Sequence, residues 1–525
     1  MPQKTILIES ILGGYGQTQY QSSQTTFNSS IAIDPDLPLV PTDIRTSGAM
    51  VPVAYSKFSG TEITGFPLWI ISQIKTENSF IYTSDGKLHS FNNSIVMRTT
   101  DEASTAFPIT ITGGNGTGAV YYNNFIYLAE GTDISQYGGM STGASIAKTE
   151  NVWTGAKFGL TALTNTTYPS LKGVAIPNHA MHHHADNAVY ICDVVNGQGV
   201  IHKLKTKRTT IEGDTNDASV FNALDLPFGY FPTDIESFGT DLIISAIQTS
   251  SSSINQGKAA LFLWDTISDS FYRGPIFLPD PLVTALLNVN GNIYIFSGNA
   301  SNGCRLSIYE GGFAVRDLVF FEEGVPPFAG AVDALGSRLV WGGSTTYPIT
   351  TASVFSYGSK DSRIPSGLHN IVNSTAASTN RNISALKYIQ QASNIIPRVI
   401  VGWGDDTNKG LDKFSETGTL SSVWRSGMFN INSRFKINSI RIPLGATLSA
   451  GHNLTVKILL DDLSSNITLP VINSTNFSGR KVSFKQSDLA SAVGVNNFLI
   501  EFSWSSTTQL PILLPIQINI NIEED

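Results

Sequence analysis

The densest group of side chains that could do chemistry is a histidine-rich stretch. It comprises His179, His182, His183 and His184, followed by Asp186 and His202. Neutral imidazoles bind zinc or iron, and alternate residues of a strand point to the same side, so His182 and His184 can share one face. A third ligand would have to come from His179, Asp186 or His202. The stretch leads into a hairpin turn, where histidines without metal are commoner. We therefore expect no metal, and keep His182, His184 and Asp186 as the candidate ligands.

Acidic motifs give little support for catalysis. Paired carboxylates stand at Asp405–Asp406 and Asp461–Asp462, but neighbouring strand residues point apart, so both pairs fit turns better than a glycosidase dyad. The segment Glu212–Ser219 offers oxygen ligands for Ca²⁺ but lacks the ligand order of an EF-hand loop. Ser84–Gly86 has the wrong order for a sialidase Asp box.

Other enzyme motifs are also missing from the sequence. The glycines of Gly113–Gly118 lie between predicted strands and indicate a flexible loop. We find no nucleophile elbow, P-loop or dinucleotide fingerprint between a strand and a helix. We therefore predict a protein that is not an enzyme, with no catalytic residue and no cofactor.

Several aromatic residues beside proline or glycine are candidates for stacking on sugars: Tyr168, Phe228, Tyr230, Phe231 and Tyr347. Simple packing within loops is the alternative interpretation.

Composition limits the class of protein. The 525 residues include 33 Lys and Arg against 41 Asp and Glu, a net charge of −8, and only 14% are charged. An average globular protein carries about a quarter. The 41% of hydrophobic residues argue against disorder, and the acidic balance argues against a protein that coats nucleic acid. Ser, Thr and Asn supply the polar fraction and favour turns and strands, so we expect a mostly β protein.

No window approaches the 18 or so apolar residues of a membrane helix, and the N-terminus does not resemble a signal peptide. We therefore expect synthesis in a cytoplasm. Cys192 and Cys304 are far apart in sequence, and two reduced thiols are favoured over one long-range disulfide.

A recurring pair of short strands with a tight turn is the most informative pattern. Predicted turns fall at Glu77–Asn78, Asp85–Gly86, Asn123–Asn124, Asp186–Asn187, Gly239–Thr240, Asn290–Gly291 and Leu335–Gly336. The second strand of each unit is almost continuously apolar: FIYT, FIYLA, VYICDVV, LIISAI, IYIFSG, LVWGG and RVIVGW. Units of roughly 45 to 60 residues match propeller blades, whose second strands are buried between neighbours.

These patterns predict an all-β chain of three parts. Residues 66–420 would form a β-propeller, with seven blades favoured and six or eight as alternatives. Residues 421–525 show longer alternating strands, with Ile437, Ile440 and Ile442 on one buried face, and predict a β-sandwich or jelly roll. Residues 1–65 would form an extended arm, a closing strand, or both. A large sandwich, or two unrelated β domains, is the alternative to a propeller.

The chain resembles propeller-containing virion proteins of short-tailed bacteriophages, of the tail-hub or nozzle type. The likeness rests on residues 25–70 (TTFNSS…FPLWI), 161–182 (TALTNTT…HAMH) and 210–247 (TIEGDTN…LIISAI). The resemblance implies a non-enzymatic tail component that assembles as a ring, often a hexamer, around the genome exit channel. It supplies no catalytic residues, and the predicted C-terminal sandwich departs from the simplest nozzle.

Three functions are therefore compatible with the sequence. The favoured one is a structural virion protein, made in the host cytoplasm, whose partners are copies of itself and other tail proteins. It would have no membrane span and no sequence-specific nucleic-acid binding, and it could also contact a host surface glycan. The alternative is a carbohydrate- or receptor-binding β protein. The third is a propeller polysaccharide hydrolase or lyase, which requires two or three carboxylates converging on the propeller axis.

Overall fold

The computed structural model describes most of the chain. It covers residues 2–15, 26–36, 49–58, 63–72, 78–92, 94–100, 105–111, 118–122, 124–130, 133–138, 147–153, 179–195, 197–205, 220–248, 257–299, 303–321, 326–343, 352–358, 368–373, 382–390, 397–404, 408–415, 420–460, 466–489 and 493–523.

In the described part of residues 1–65, four strands precede the first repeat unit: β1 (Gln3–Ile8), β2 (Gly14–Tyr15), β3 (Thr26–Ile31) and β4 (Ala54–Lys57). They serve two different sheets. β1, β2 and β3 join the sheet formed by the C-terminal residues, whereas β4 joins the last unit of the repeat. The described parts of the segment 1–65 are therefore strands of both units, and β4 has the position of a closing strand.

Seven four-stranded antiparallel sheets, which we number as blades 1 to 7, follow in chain order. Blade 1 comprises β5 (Pro67–Ser72), β6 (Asn78–Thr83), β7 (Lys87–Asn92) and β8 (Ile109–Thr110). Blade 2 comprises β9 (Ala119–Tyr122), β10 (Phe125–Glu130), β11 (Asp133–Gly138) and β12 (Ala147–Trp153). Blade 3 comprises β13 (Met181–His183), β14 (Ala188–Val195), β15 (Gln198–Lys205) and β16 (Val220–Asp225). Blades 4 and 5 are β17 (Tyr230–Phe238), β18 (Asp241–Gln248), β19 (Lys258–Trp264) and β20 (Arg273–Phe277); and β21 (Val283–Val289), β22 (Asn292–Asn299), β23 (Gly303–Tyr309) and β24 (Arg316–Phe321). Blades 6 and 7 are β25 (Val332–Leu335), β26 (Arg338–Gly343), β27 (Ser353–Tyr357) and β28 (His369–Asn373); and β29 (Asn382–Ile389), β30 (Arg398–Gly404) and β31 (Lys409–Ser415), with β4 as fourth strand.

The blades close into a ring. The first strand of each blade packs against the first strand of the next, and β29 of blade 7 packs in turn against β5 of blade 1. β4 pairs with β31 from Lys57 opposite Asp412 to Ala54 opposite Ser415. This pairing covers a strand edge that would otherwise be open. The predicted β-propeller is therefore confirmed, with seven blades.

The apolar strands identified in the sequence are the second strands of the seven blades. Every residue of β26 is buried, as are six of the seven residues of β30 and seven of the eight residues of β14. A strand buried on both faces needs apolar side chains at consecutive positions, which explains the continuous pattern. Neighbouring blades share these cores. For example, the Tyr82 hydroxyl in blade 1 donates a hydrogen bond to the Ala129 carbonyl in blade 2, at 2.9 Å.

The tight turns lie where the sequence places them. Val289 pairs with Asn292 around the turn Asn290–Gly291. Both turn residues have positive φ, 54° and 85°, the conformation that an Asn-Gly hairpin favours. Glu77 and Asn123, of two of the predicted turns, lie outside the described residues.

The second unit combines both ends of the chain. Its C-terminal strands are β32 (Leu420–Ser426), β33 (Phe429–Pro443), β34 (Leu454–Leu460), β35 (Asn466–Thr468), β36 (Lys481–Phe484), β37 (Val493–Ser506) and β38 (Ile516–Ile522). The hydrogen bonds define one ten-stranded sheet, with the order β1-β38-β33-β37-β32-β3-β2 and with β34, β35 and β36 attached to it. The two-layer sandwich or jelly roll predicted for residues 421–525 stays a prediction.

The core of this unit contains the predicted buried face of β33. Ile437, Ile440 and Ile442 are each fully buried, together with Ile6 and Phe27 from the N-terminal strands. A register shift between Ile437 and Ser439 explains why Ile437 and Ile440, three residues apart, face the same side.

The two units meet beside blade 6. The Tyr15 amide donates to the Leu368 carbonyl at 3.1 Å, and the Phe27 ring lies 5.2 Å from the ring of His369. The only helical elements among the described residues are two short 3-10 helices, Ala329–Ala331 and Gln486–Leu489. Within these ranges, no helix has the length and apolar character needed to span a bilayer.

Candidate functional site

The strand order defines two faces of the ring. The turns between first and second strands and between third and fourth strands lie on one face, which we call the first face. The remaining connections lie on the second face. The histidine-rich stretch runs along β13 and into the turn that follows it, so His182 and His184 lie towards the first face, beside the first strand of blade 4.

His182 and His184 converge on a serine of the next blade. Ser237, near the end of β17, has its Oγ 2.6 Å from His182 Nε2 and 2.8 Å from His184 Nδ1. The other nitrogen of His182, Nδ1, lies 3.3 Å from Oε1 of Glu236. We call these four residues the His–Ser–Glu cluster. The interpretation that His182 and His184 share one side is borne out by these distances.

The proton positions in the cluster are restricted by an acceptor at its end. His184 Nε2 lies 3.0 Å from the Thr240 carbonyl oxygen, which can only accept a hydrogen bond. Nε2 therefore carries the proton, and Nδ1 of a neutral His184 is an acceptor. The single hydroxyl proton of Ser237 consequently has an imidazole nitrogen on either side.

Burial changes the acidity of both partners of this network. Burial, with a smaller contribution from His184, lowers the pKa of His182 to about 4. Burial also raises the pKa of Glu236 to about 7, despite the amide hydrogen bonds from Ser237 and Asn288 that favour its charged form. At neutral pH His182 is therefore an uncharged base, and Glu236 changes charge near pH 7.

Replacing Glu236 with glutamine is expected to change the pH dependence of stability. The pKa of this carboxyl rises from 4.5 to about 7 on folding, so its contribution is fully present below pH 4.5 and is lost as the pH rises through 7. Glutamine cannot ionise. The free energy of unfolding of Glu236→Gln, relative to the wild type, should therefore increase between pH 4.5 and about 8. Urea denaturation at both pH values measures it, with the exposed Glu310→Gln as control. A constant difference would contradict the assignment.

A second histidine group is fully buried within blade 3. His202 Nε2 lies 3.1 Å from Oδ2 of Asp193, and His179 Nε2 lies 3.6 Å from Oδ1 of the same carboxylate. His202 Nδ1 accepts the amide hydrogen of Asn222 at 3.0 Å. His179 and His202 thus contact the Asp193 carboxylate rather than His182 and His184.

Asp186 is also held elsewhere. It accepts hydrogen bonds from Lys203 and from the Tyr190 hydroxyl, both at 2.7 Å. The possible third ligands, His179, Asp186 and His202, therefore do not join His182 and His184. No group of three His, Cys, Asp or Glu side chains suited to a metal occurs among the described residues.

The carboxylates of the described first strands mostly tie blades together. Asp234 Oδ2 accepts the Leu286 amide of blade 5 at 2.7 Å. Asp333 accepts the Tyr388 amide and the Lys387 ammonium of blade 7, each at 2.7 Å. These contacts hold blade 4 to blade 5 and blade 6 to blade 7, and two of the three carboxylates on these strands are used in this way.

A small cavity lies where the N-terminal segment meets blades 6 and 7. Its volume is about 30 Å³, and Asp34, Tyr55, Arg338, Tyr388 and Arg398 are among the residues that line it. A polar cavity of this volume is large enough for one water molecule. Burial raises the pKa of Tyr55 and of Tyr388, so both stay uncharged hydroxyls. The cavity is therefore lined by polar side chains of both the N-terminal segment and the ring.

The structure describes only some of the other residues that the sequence analysis names. Phe228 is 83% exposed, whereas Tyr230 is buried and Phe231 half-buried. Cys192 and Cys304 are buried free thiols. Asp85 lies in a turn, 3.1 Å from Lys87. Five predicted features lie entirely outside the described residues: Tyr168, Tyr347, Asp405–Asp406, Asp461–Asp462 and Glu212–Ser219. Residues 113–117 of the glycine-rich loop also lie outside them.

Sequence reasoning missed Ser237 and Glu236. Ser237 stands 55 residues from His182, in a strand that reads as an ordinary inner strand. The one available signal was that both segments precede a predicted first turn, Asp186–Asn187 and Gly239–Thr240, so both lie on the same face of neighbouring blades.

No family model and no curated relative matches this sequence. Solved β-propellers resemble it in structure. The WD40 β-propeller domain of Doa1 has 11% identity and a TM-score of 0.40, over 69% of this chain and 97% of that chain. The WD40 domain of Neurospora crassa Pan2 has 9% identity and a TM-score of 0.40, over 70% and 95%. The β-propeller domain of Myceliophteria thermophila Cps50 (Swd1) has 9% identity and a TM-score of 0.41, over 69% and 100%.

Proposed function

We propose that this protein is a non-enzymatic structural component of a phage virion, of the tail-hub or nozzle type, that assembles as a symmetric ring. Its partners would be copies of itself and other tail proteins. The resemblance of residues 25–70, 161–182 and 210–247 to such proteins suggests the virion. The assembly role rests on an exposed aromatic surface on the propeller.

This surface lies on the first face of blades 4 and 5. The guanidinium of Arg273 lies 4.9 Å from the ring centre of Phe313 and 5.9 Å from that of Tyr272. Phe313 is 82% exposed and Tyr272 50%. Aromatic residues and arginine are enriched in protein interfaces and dominate their binding energy. We name Tyr272, Arg273 and Phe313 the aromatic patch, and assign it to the contact with a neighbouring copy.

The use of first-strand carboxylates supports the same function. A polysaccharide hydrolase of this fold would need carboxylates free to act on a substrate at the axis. Asp234 and Asp333 instead accept hydrogen bonds from the backbone of the next blade. These contacts favour a rigid scaffold over the hydrolase or lyase alternative.

Replacing Phe313 with serine is expected to weaken self-association. Loss of one central aromatic contact typically costs about 2 kcal/mol or more, which is roughly a thirtyfold increase in the dissociation constant. Native mass spectrometry and light scattering of the full chain across a concentration series would measure it. Phe228→Ser is the matched control, because Phe228 is 83% exposed against 82% for Phe313 and lies on the second face. A wild-type chain that stays monomeric at every concentration, or equal effects of the two variants, would overturn the assignment.

The exposed Phe228 favours a second candidate function, binding of a host-surface carbohydrate or receptor. An exposed aromatic ring can stack on a sugar. If this candidate is correct, Phe228→Ser loses binding to cell-surface glycans, whereas Phe313→Ser keeps it.

A further inference from the structure

We propose that Ser237 is a nucleophile for acyl transfer from an ester, with His182 as its general base and Glu236 as the residue that positions His182. This inference adds an ester-cleaving site to the same protein. It therefore departs from the non-enzymatic part of the proposed function, and it does not depend on the assembly role. It rests on the geometry of the His–Ser–Glu cluster and on the access of solvent to it.

The distances match those of an activated serine. A hydroxyl nucleophile needs a base within about 2.6–3.2 Å, and the base needs a third group at its other nitrogen. The Oγ of Ser237 lies 2.6 Å from His182 Nε2, and His182 Nδ1 lies 3.3 Å from Glu236 Oε1. The second distance is an ion-pair contact that is not aligned as a hydrogen bond, and catalytic hydrogen bonds are often poorly aligned without substrate.

The backbone holds this arrangement from two sides. The Ser237 amide donates to Glu236 Oε1 at 2.8 Å, and the side chain of Asn288 in blade 5 donates to the Ser237 carbonyl at 2.6 Å. Since His182 comes from blade 3 and Asn288 from blade 5, packing of three blades fixes the position of Ser237.

The cluster can be reached from solvent. The side chains of His182 and Glu236 are 20% and 16% exposed, and Ser237 is half-buried. By contrast, the Asp193 group has side chains no more than 1% exposed. Of the two histidine groups, the His–Ser–Glu cluster is therefore the one with side chains partly exposed to solvent.

The reaction balances without a cofactor. Ser237 Oγ forms a bond to the ester carbonyl carbon while His182 Nε2 takes the hydroxyl proton. The carbon–oxygen bond to the leaving alcohol breaks, and the alcohol takes that proton from His182. Water then attacks the acyl-serine with His182 again as base, which releases the acid and restores Ser237.

The charge of Glu236 decides which nitrogen of His182 is free. An ionised Glu236 keeps the His182 proton on Nδ1, which leaves Nε2 as the acceptor for the Ser237 hydroxyl. The other ionisable groups that act on Glu236 are Asp234 on its own strand, His184 of blade 3 and Lys387 of blade 7. Because the pKa of Glu236 is about 7, reactivity should rise as the pH passes through 7.

A fluorophosphonate probe tests the proposal on the full wild-type chain. Ser237 Oγ would attack phosphorus and expel fluoride, which leaves a stable adduct that peptide mass spectrometry locates. We expect one adduct, on Ser237, and none on Ser237→Ala. Ser270→Ala, at an exposed serine away from the cluster, should label like the wild type. No adduct on the wild type, or an adduct only at another residue, would overturn the proposal and show that Ser237 merely bridges two histidines.

Two further variants separate the roles within the cluster. His182→Gln should slow labelling by about 100-fold or more, the usual contribution of a general base. Glu236→Gln should remove the rise in labelling rate near pH 7 while the adduct remains on Ser237. An unchanged pH profile in Glu236→Gln would contradict its positioning role. Circular dichroism of each variant confirms folding, and labelling of the wild type decides the proposal even if a variant fails to fold.

Discussion

Replacing Arg338 with methionine is expected to lower the free energy of unfolding by about 3–5 kcal/mol. The Arg338 side chain is 5% exposed and lies 2.8 Å from Asp34 and 3.5 Å from Asp36. Burial alone would raise the pKa of Asp34, but the charge and hydrogen bonds of Arg338 lower it. Methionine fills much of the space and leaves the carboxylates without this buried positive charge.

Arg316→Met is the control for this prediction. Arg316 lies 3.2 Å from Glu310, and their side chains are 60% and 50% exposed. An exposed ion pair of this kind contributes about 0–1 kcal/mol. Arg338→Lys keeps the charge but not the paired hydrogen bonds, and should fall between the two. Urea denaturation measures all three, and equal losses for Arg338→Met and Arg316→Met would show that the buried pair does not anchor the N-terminal segment to the ring.

Replacing Gly342 with alanine is expected to destabilise the contact between blades 6 and 7. A Cβ atom at this position would lie 2.3 Å from Cγ2 and 2.6 Å from Cβ of Ile383, which is buried on the first strand of blade 7. The overlap includes Cβ of Ile383, so a change of rotamer cannot relieve it. Forced overpacking of this kind costs about 1–3 kcal/mol.

The adjacent Gly343 provides a matched control. A Cβ atom there would lie 3.3 Å from the ring of Phe355, a tight contact that a shift of the ring by a few tenths of an ångström relieves. Gly343→Ala should therefore change the free energy of unfolding by less than about 1 kcal/mol. Thermal and urea unfolding of both variants would measure the difference. A smaller loss for Gly342→Ala than for Gly343→Ala would contradict the close packing of the two blades.

Much of the propeller could be predicted because its signals are local. The run LVWGG is buried on both faces of β26. In another blade, Asn290–Gly291 closes the hairpin between β21 and β22 with the expected positive φ. Each signal depends on residues that are neighbours in the chain. The blade number followed from counting such units, although the last unit lacked a clear turn.

The candidate site could not be predicted in the same way. From the sequence, His182 is only a candidate metal ligand where no metal is expected, and its partners in the structure are Ser237 and Glu236, which belong to another blade. Similarly, the strand pattern around Phe27 does not indicate which strand β3 will pair with. In the structure β3 pairs with β32, almost 400 residues later. Contacts of this kind depend on how complete sheets pack.

The amino-acid sequence by itself determined the all-β character, the buried second strands and the turns, because burial on both faces and positive φ impose residue types locally. Only the tertiary structure decided that β4 closes blade 7, that both chain ends share one sheet, and that His182, His184, Ser237 and Glu236 meet. These outcomes depend on strand pairing and blade packing between distant segments, and the alternation of apolar and polar residues does not encode which edge a strand will join.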